Sequence, residues 1–316
     1  MKNILESIKY VIDNAEDVYI NTEKLEEVCS KLEIKGEEYW LKAAPGNITL
    51  LNTSEIVTFV LILETIDFSF WGDPKWSVKY KEISYDGAFG LVVALIKALE
   101  NNYKILDFEY LKNMKFEDFE QIMKGNIEIP LIKERFHYLK EMVEVVLEKF
   151  DGNFYKHIKN IRTDKDLFEI IINNFKCFDD HMCYKGEKIY FYKRAQLLTI
   201  DILKIMEERE KITADYSSIT ACADYKIPQS LRKLEILTYS KNLGEKVDNS
   251  IVLPEGCNEE IEIRAFTIYA VERIKQIIGK SGRNIRSIDI NDYLWLQGQN
   301  KNISDKPYHL VRTTAY

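Results

Sequence analysis

The sequence predicts an all-α, mainly helical protein, and three observations carry that reading. Apolar residues recur at helical spacing through most of the chain. Gly and Pro number only 13 and 6 in 316 residues, too few for the many turns of a sandwich or barrel. Strand-like alternation is confined to residues 76–83, from Trp76 to Ile83, and is weak there.

Ile4, Leu5, Ile8, Val11 and Ile12 form the first 3.6-residue stripe. Thr53 or Ser54 is expected to cap a helix through Ile66, with Glu55 in its first turn. Residues 86–100 are apolar on most faces, through Leu91, Val92, Val93, Leu95, Ile96 and Leu99, which predicts burial. Residues 131–150 are amphipathic and closed by Asp151-Gly152. Thr163 caps a helix to about Phe175. Residues 188–209 read as one long helix whose centre, Leu197 to Met206, is apolar nearly all round, as in a central core helix. Residues 228–239 and 260–278 complete the set.

At roughly 150 residues per domain the length suits two domains or one large one. The chain shows no internal repeat and no Ser/Gly/Pro linker, and polarity rises only at 151–163. We therefore read residues 1–316 as a single helical unit, divisible into two lobes (about 1–150 and 160–316) with a cleft between them.

The net charge of −7 argues against wrapping a nucleic-acid backbone, while leaving room for one small anion in a local basic pocket. The five cysteines, Cys29, Cys177, Cys183, Cys222 and Cys257, are odd in number and form no CxxC, which suits a reducing, cytoplasmic setting. Near the N-terminus Glu6, Asp13 and Glu16 interrupt any signal-peptide core. The longest apolar run, 56–66, contains Thr58 and Glu64 and falls short of a membrane span. His137, His157, His181 and His309 have no metal-ligand spacing, and no P-loop, GxGxxG, GxSxG or HExxH occurs, so neither metal nor cofactor is expected.

Four constellations could carry chemistry. Lys193-Arg194 could hold a phosphate, or be a solvated charge pair; Asp201, between Ile200 and Ile202, is either ion-paired or functional. Asp224 precedes Pro228, a first-turn residue, so it is either a catalytic carboxylate before a helix or a turn Asp. Asp67-Phe68-Ser69-Phe70-Trp71 could wall a planar base, with Asp67 accepting its N–H groups, or plug the core. Gly279-Lys280-Ser281-Gly282 fits the GxxG turn of a KH module, with Arg283 and Arg286 nearby, or is an exposed basic turn.

The stretches 67–71, 191–196, 223–229, 239–240, 262–264, 292–295 and 307–316 together resemble the queuosine 5′-phosphate N-glycosylase/hydrolase family, in order from about residue 55 onward. That resemblance implies an all-α fold akin to the helix-hairpin-helix DNA glycosylases. It also implies hydrolysis of a nucleotide's N-glycosidic bond to release queuine, a 7-deazaguanine base. It makes Asp224 the catalytic carboxylate; Asp201, from its place in the most apolar part of its helix, is a weaker candidate. It places Asp67, Phe70 and Trp71 in the base pocket with Asp292 and Tyr293 facing it, and Lys193, Arg194 and Arg312 on the phosphate; Cys222 and Tyr225, flanking the Ala223-Asp224 pair, are further substrate-binding candidates. Asp67 stands where Asn is expected in many members, and Cys222 where a Phe often precedes the Ala-Asp pair. The expected partner is the free mononucleotide, acting on a monomer in the cytoplasm, with no intact nucleic acid and no membrane. The alternatives are a KH-like RNA-binding module at 279–282, or a helical glycosylase for another nucleotide or for DNA.

Overall fold

A computed structural model describes residues 4–34, 36, 39–46, 48–299 and 305–316. The chain opens with α1 (Ile4–Asn14), β1 (Val18–Ile20), α2 (Thr22–Lys31) and the single turn α3 (Trp40–Ala43). Next come α4 (Thr53–Thr65), the hairpin β2 (Ser77–Tyr80) and β3 (Ile83–Asp86), and α5 (Gly87–Glu100). The helices α6 (Phe108–Asn113), α7 (Phe116–Ile122), α8 (Ile132–Lys149), α9 (Phe154–Ile158) and α10 (Asp164–Asn174) follow. A second hairpin, β4 (His181–Tyr184) and β5 (Glu187–Tyr190), leads into α11 (Lys193–Glu210) and α12 (Lys226–Lys233). The chain ends through β6 (Leu237–Tyr239), α13 (Lys241–Asp248), β7 (Val252–Leu253), α14 (Asn258–Lys280), α15 (Ser287–Gln297) and β8 (Leu310–Val311).

The mainly helical reading agrees with this structure. Among the described residues the strands pair only two by two: β1 with β6, β2 with β3 and β4 with β5 antiparallel, β7 with β8 parallel.

Helices α4 and α11 lie side by side at the centre. Every residue of α4 from Ile56 to Thr65 is buried, Glu64 included. Each such aliphatic side chain contributes about 1.5–3 kcal/mol of burial, which is what holds so apolar a helix in the middle. Helices α8 and α9 cover α4, α10 covers α11, and α14 packs against α1, α12 and α15. The N-terminal elements reach across the molecule: α1 lies on α14 and β5, and β1 pairs with β6. Glu262 secures that return, its carboxylate accepting the amides of Asp17 (2.7 Å) and Val18 (3.1 Å).

Three boundaries differ from the sequence reading. Asn52, not Thr53 or Ser54, caps α4: its Oδ1 accepts the Glu55 amide at 3.0 Å while Glu55 Oε2 accepts the Asn52 amide at 2.8 Å. The central helix begins at Lys193 rather than 188, because 187–190 is strand and Tyr192 is left-handed (φ 51°). Helix α12 ends at Lys233, and 237–239 becomes the partner strand of β1.

The KH reading is overturned. The Gly279–Gly282 turn joins α14 to α15, and among the described residues there is no three-stranded sheet of the kind a KH module needs. Two of the nearby basic residues, Arg283 and Arg286, are also engaged within the chain. Arg283 Nη1 donates to the Leu32 carbonyl at 2.8 Å, and Arg286 pairs with Asp289 at 2.7 Å.

Candidate active site

A cleft with an empty volume of about 970 Å³, its open mouth included, lies where five parts of the chain meet. These are the segment after α4, the start of α5, the start of α11, the segment leading into α12, and one face of α15. Trp40 and the tail residues Tyr308 and Tyr316 complete the wall.

The segment after α4 is held by its backbone. Arg194 Nη1 donates to the carbonyls of Glu64 (3.0 Å) and Thr65 (2.7 Å). Arg135, fully buried, donates to those of Ile66 and Phe68. Arg312 donates to those of Ser69 (3.2 Å) and Trp71 (3.0 Å), and its guanidinium lies 3.6 Å from the Trp71 ring centroid. Ser69 is left-handed (φ 52°), and its amide donates to the Tyr316 carbonyl at 2.9 Å. Asp67, Phe70 and Trp71 thereby line the cleft.

Arg194 and Arg312, expected on the phosphate, are placed behind this segment. Neither lines the cleft. Their guanidiniums are committed to peptide carbonyls, which buried and unpaired would each be costly. Lys193 does line the cleft, but its ammonium is 2.7 Å from Asp67 Oδ2 with both side chains buried. Burial opposes that ammonium, yet Asp67, Glu64 and Asp224 outweigh it and hold the Lys193 pKa above the ordinary lysine value. Asp67 Oδ1 has no hydrogen-bond partner among the described residues, so one buried acceptor remains for a ligand.

Asp224 lies in the loop before α12, as its spacing from Pro228 predicts. Its Oδ1 accepts the amides of Lys226 and Ile227, both at 2.9 Å, while Oδ2 takes no hydrogen bond from a described residue. Burial raises the Asp224 pKa; Lys193 and the two amides hold it partly back. A carboxylate fixed at one oxygen and open at the other is suited to facing positive charge that develops on a bound molecule.

Cys222 and Tyr225 line the same wall. The Cys222 amide donates to Asn291 Oδ1 at 2.8 Å, and the Tyr225 hydroxyl donates to the Val311 carbonyl at 2.6 Å. Arg264, fully buried, bridges two sides of the site. It pairs with Asp180 (2.9 and 2.6 Å), whose Oδ2 accepts the Lys193 amide at 3.0 Å, and its Nε donates to the Ala223 carbonyl at 3.3 Å.

On α15, Asn291, Asp292 and Trp295 line the cleft at helical spacing. Tyr293, expected to face the base, is not among the lining residues: one residue past Asp292 on a helix is about 100° further round. Asp292 is held by Lys204 at 2.8 Å. Asp201 also lies outside the lining. Its Oδ1 accepts the Trp40 indole N–H at 3.1 Å, and Oδ2 has no hydrogen-bond partner among the described residues. Burial and then the Asp292 charge push the Asp201 pKa up to about 8. Asp201 therefore orients Trp40, which meets Trp295 edge-on at 5.8 Å; Trp295 in turn meets Phe89 at 5.4 Å.

The sequence reading missed Trp40, Lys75, Phe89, Tyr308 and Tyr316 in the lining, and Arg135 behind it. Among the described residues no group of three or more His, Cys, Asp or Glu is disposed to hold a metal ion. Among the described residues no helix is long and apolar enough to cross a membrane.

Fold and site together define a mainly helical protein with a deep carboxylate-and-aromatic cleft. The chain belongs to the queuosine salvage protein family, which matches residues 49–316. A Sphaerobacter thermophilus relative named queuosine 5′-phosphate N-glycosylase/hydrolase is 32% identical over 99% of this chain and 97% of its own length. Relatives of the same name from Bos taurus (31% identical, 98% of each chain) and Schizosaccharomyces pombe (26%, 93% of this chain and 91% of the relative) are similarly full-length matches.

Proposed function

We propose that this chain hydrolyses the N-glycosidic bond of queuosine 5′-phosphate and releases queuine for salvage into tRNA modification. The observation that carries the reading is Asp224: a buried carboxylate with one oxygen fixed by two amides and the other open to an aromatic-walled cleft. The base enters along Phe70, Trp71 and Cys222, where Asp67 Oδ1 accepts from its N–H groups, and Tyr225 and Asp292 bound the same space. The ribose lies against Asp224.

The C1′–N9 bond breaks with its electron pair leaving on the base, and positive charge develops at C1′ and the ring oxygen. Water supplies hydroxide to C1′, and its proton ends on the departing base. A 7-deazaguanine has carbon at position 7, so protonation at a ring N7 cannot activate the leaving group. More of the barrier then falls on stabilising the cation, which is the task of the Asp224 carboxylate.

We read the fold as akin to the helix-hairpin-helix glycosylases and the chain as one catalytic unit with lobes of about 1–150 and 160–316. The cleft draws residues from both spans, which supports this division. A net charge of −7 supports a free mononucleotide rather than intact nucleic acid as substrate, and the described cysteines, all unpaired, support a reducing, cytoplasmic setting.

Chromatography of the products tests the assignment. Free queuine is expected from queuosine 5′-phosphate, and far less guanine from guanosine 5′-phosphate. Equal release from both, or none from either, overturns it.

A further inference from the structure

We propose that Glu64 is a positioning residue for base recognition: by keeping its proton it leaves the Lys193 ammonium to Asp67, whose other oxygen then stays turned to the base. This role depends on the reading above, in which Asp67 meets the N–H groups of the base, and it supplies the group behind the pair that keeps Asp67 so.

Glu64 lies in the last turn of α4 and is fully buried. Neither of its carboxyl oxygens takes a hydrogen bond from a described residue. Arg194 reaches only the main chain there, where Nη1 donates to the carbonyls of Glu64 (3.0 Å) and Thr65 (2.7 Å). An ionised carboxylate without donors is costly to bury, so a group in this position keeps its proton.

The charged groups around it favour the same state. Asp67 follows three residues along the chain, and α11, packed against α4, carries Lys193, Arg194 and Asp201. Helix α8 adds Arg135, which serves the Ile66 and Phe68 carbonyls, while the buried side chains of α5 and α9 are all apolar. The segment before α12 brings Cys222 and Asp224 into the field of the Lys193 ammonium. Burial first, then the charges of Asp67 and Asp201, raise the Glu64 pKa well above the ordinary glutamate value, against the pull of Lys193 and Arg194.

The proton matters at Lys193. After Asp67, Glu64 is the carboxyl that acts most strongly on that ammonium, ahead of Asp224. Lysine carries its charge on a flexible four-carbon stem. With Glu64 neutral, the ammonium rests on Asp67 Oδ2 at 2.7 Å, and Asp67 Oδ1 has no partner among the described residues. With Glu64 ionised, two buried carboxylates draw on one ammonium. The Lys193–Asp67 pair then loosens, and the orientation of Oδ1 is lost with it. Asp67 lines the cleft and Glu64 does not, so Glu64 acts on the base through the pair.

Calorimetric binding of queuine from pH 7 to pH 10 tests this without turnover. Each variant is compared with the unsubstituted protein at the same pH, so that the ligand's own titration cancels. Glu64→Gln has the shape of the neutral acid and no proton to lose, and it should match the unsubstituted protein at pH 7. On the alkaline side the unsubstituted protein should bind at least ~10-fold more weakly than Glu64→Gln, the scale of one charge-assisted hydrogen bond. In Asp201→Asn a neighbouring negative charge is gone, Glu64 ionises more readily, and the alkaline loss should move to lower pH. Superimposable profiles for Glu64→Gln and the unsubstituted protein, or weaker binding by Glu64→Gln already at pH 7, overturn the proposal. If Glu64→Gln does not fold, Asp201→Asn decides: an alkaline loss that is absent or does not move to lower pH overturns it.

On queuosine 5′-phosphate the alkaline loss should appear in KM rather than kcat, because the Asp224 carboxylate is unaltered; a loss confined to kcat overturns the role. A protein that binds queuine with this pH dependence yet releases no base from the nucleotide keeps Glu64 in place and refutes the hydrolase reading instead. No binding of queuine by the unsubstituted protein overturns both.

Discussion

Lys193 Nζ stands 2.7 Å from Asp67 Oδ2 with both side chains buried, so each charge answers the other before any ligand arrives. Lys193→Ala should consequently act on the pair rather than on a phosphate. Removing one partner of a buried pair leaves the other uncompensated, at a cost of about 3–5 kcal/mol. A clear fall in Tm is expected, with parallel loss of kcat/KM on queuosine 5′-phosphate and queuosine. Selective loss on the nucleotide would return Lys193 to the phosphate.

Asp224→Asn should keep the fold, because an asparagine oxygen still accepts the Lys226 and Ile227 amides. The lost charge should lower kcat at least ~10²-fold, the scale of one preorganised transition-state group. Near-normal turnover in a folded variant would remove Asp224 from the mechanism.

The pH profile follows from the same residue. Burial raises the Asp224 pKa, and the ionised form is the one that faces the cation. Activity should fall on the acid side as pH drops through that raised value, so the acid limb lies above the ordinary aspartate range. The residual activity of Asp224→Asn should lack that limb. An unshifted limb in the variant would assign it to another group.

Asp201 gives a stability signature. Its pKa is near 4 in the unfolded chain and about 8 in the folded one. The folded state thus binds the proton more tightly. The resulting stabilisation is full below the unfolded value and is lost as pH rises through the folded value. Asp201→Asn carries no such proton, so its Tm should gain on the unsubstituted protein by a few degrees between pH 5 and pH 9. A pH-independent difference would contradict this.

Arg312→Ala separates clasp from phosphate ligand. If the guanidinium serves the Ser69 and Trp71 carbonyls, hydrolysis of queuosine and of its 5′-phosphate should suffer alike. A loss confined to the phosphorylated substrate would restore Arg312 to the phosphate.

Much of the fold is legible in local chemistry. The stripe from Ile4, the apolar stretch after Asn52 and the all-round burial near Leu197 each announce a helix that the structure contains. The start of α11 is not legible, because Lys188 to Tyr192 mixes strand-forming residues with a helix-like context, and pairing with 181–184 decides it. In the site, Asp67, Phe70, Trp71, Cys222, Asp224 and Tyr225, far apart in sequence, line one cleft. Arginine is where sequence reasoning says least. A guanidinium that binds a phosphate and one that binds peptide carbonyls have the same letter, and only the partner's position separates Arg194 and Arg312 from a ligand. Trp40 and Arg135 carry no local signal, since each matters through residues far along the chain.

Six of the carbonyls between Glu64 and Trp71 are held by guanidiniums at positions 135, 194 and 312, two from the middle third of the chain and one from its end. The aromatic wall is therefore not a property of its own segment. A chain lacking any one of those three visitors has a strip of thirsty peptide oxygens where the wall should be. Recognition comes into being at the moment assembly closes, so a half-folded molecule has no imperfect version of the site with which to trap a base.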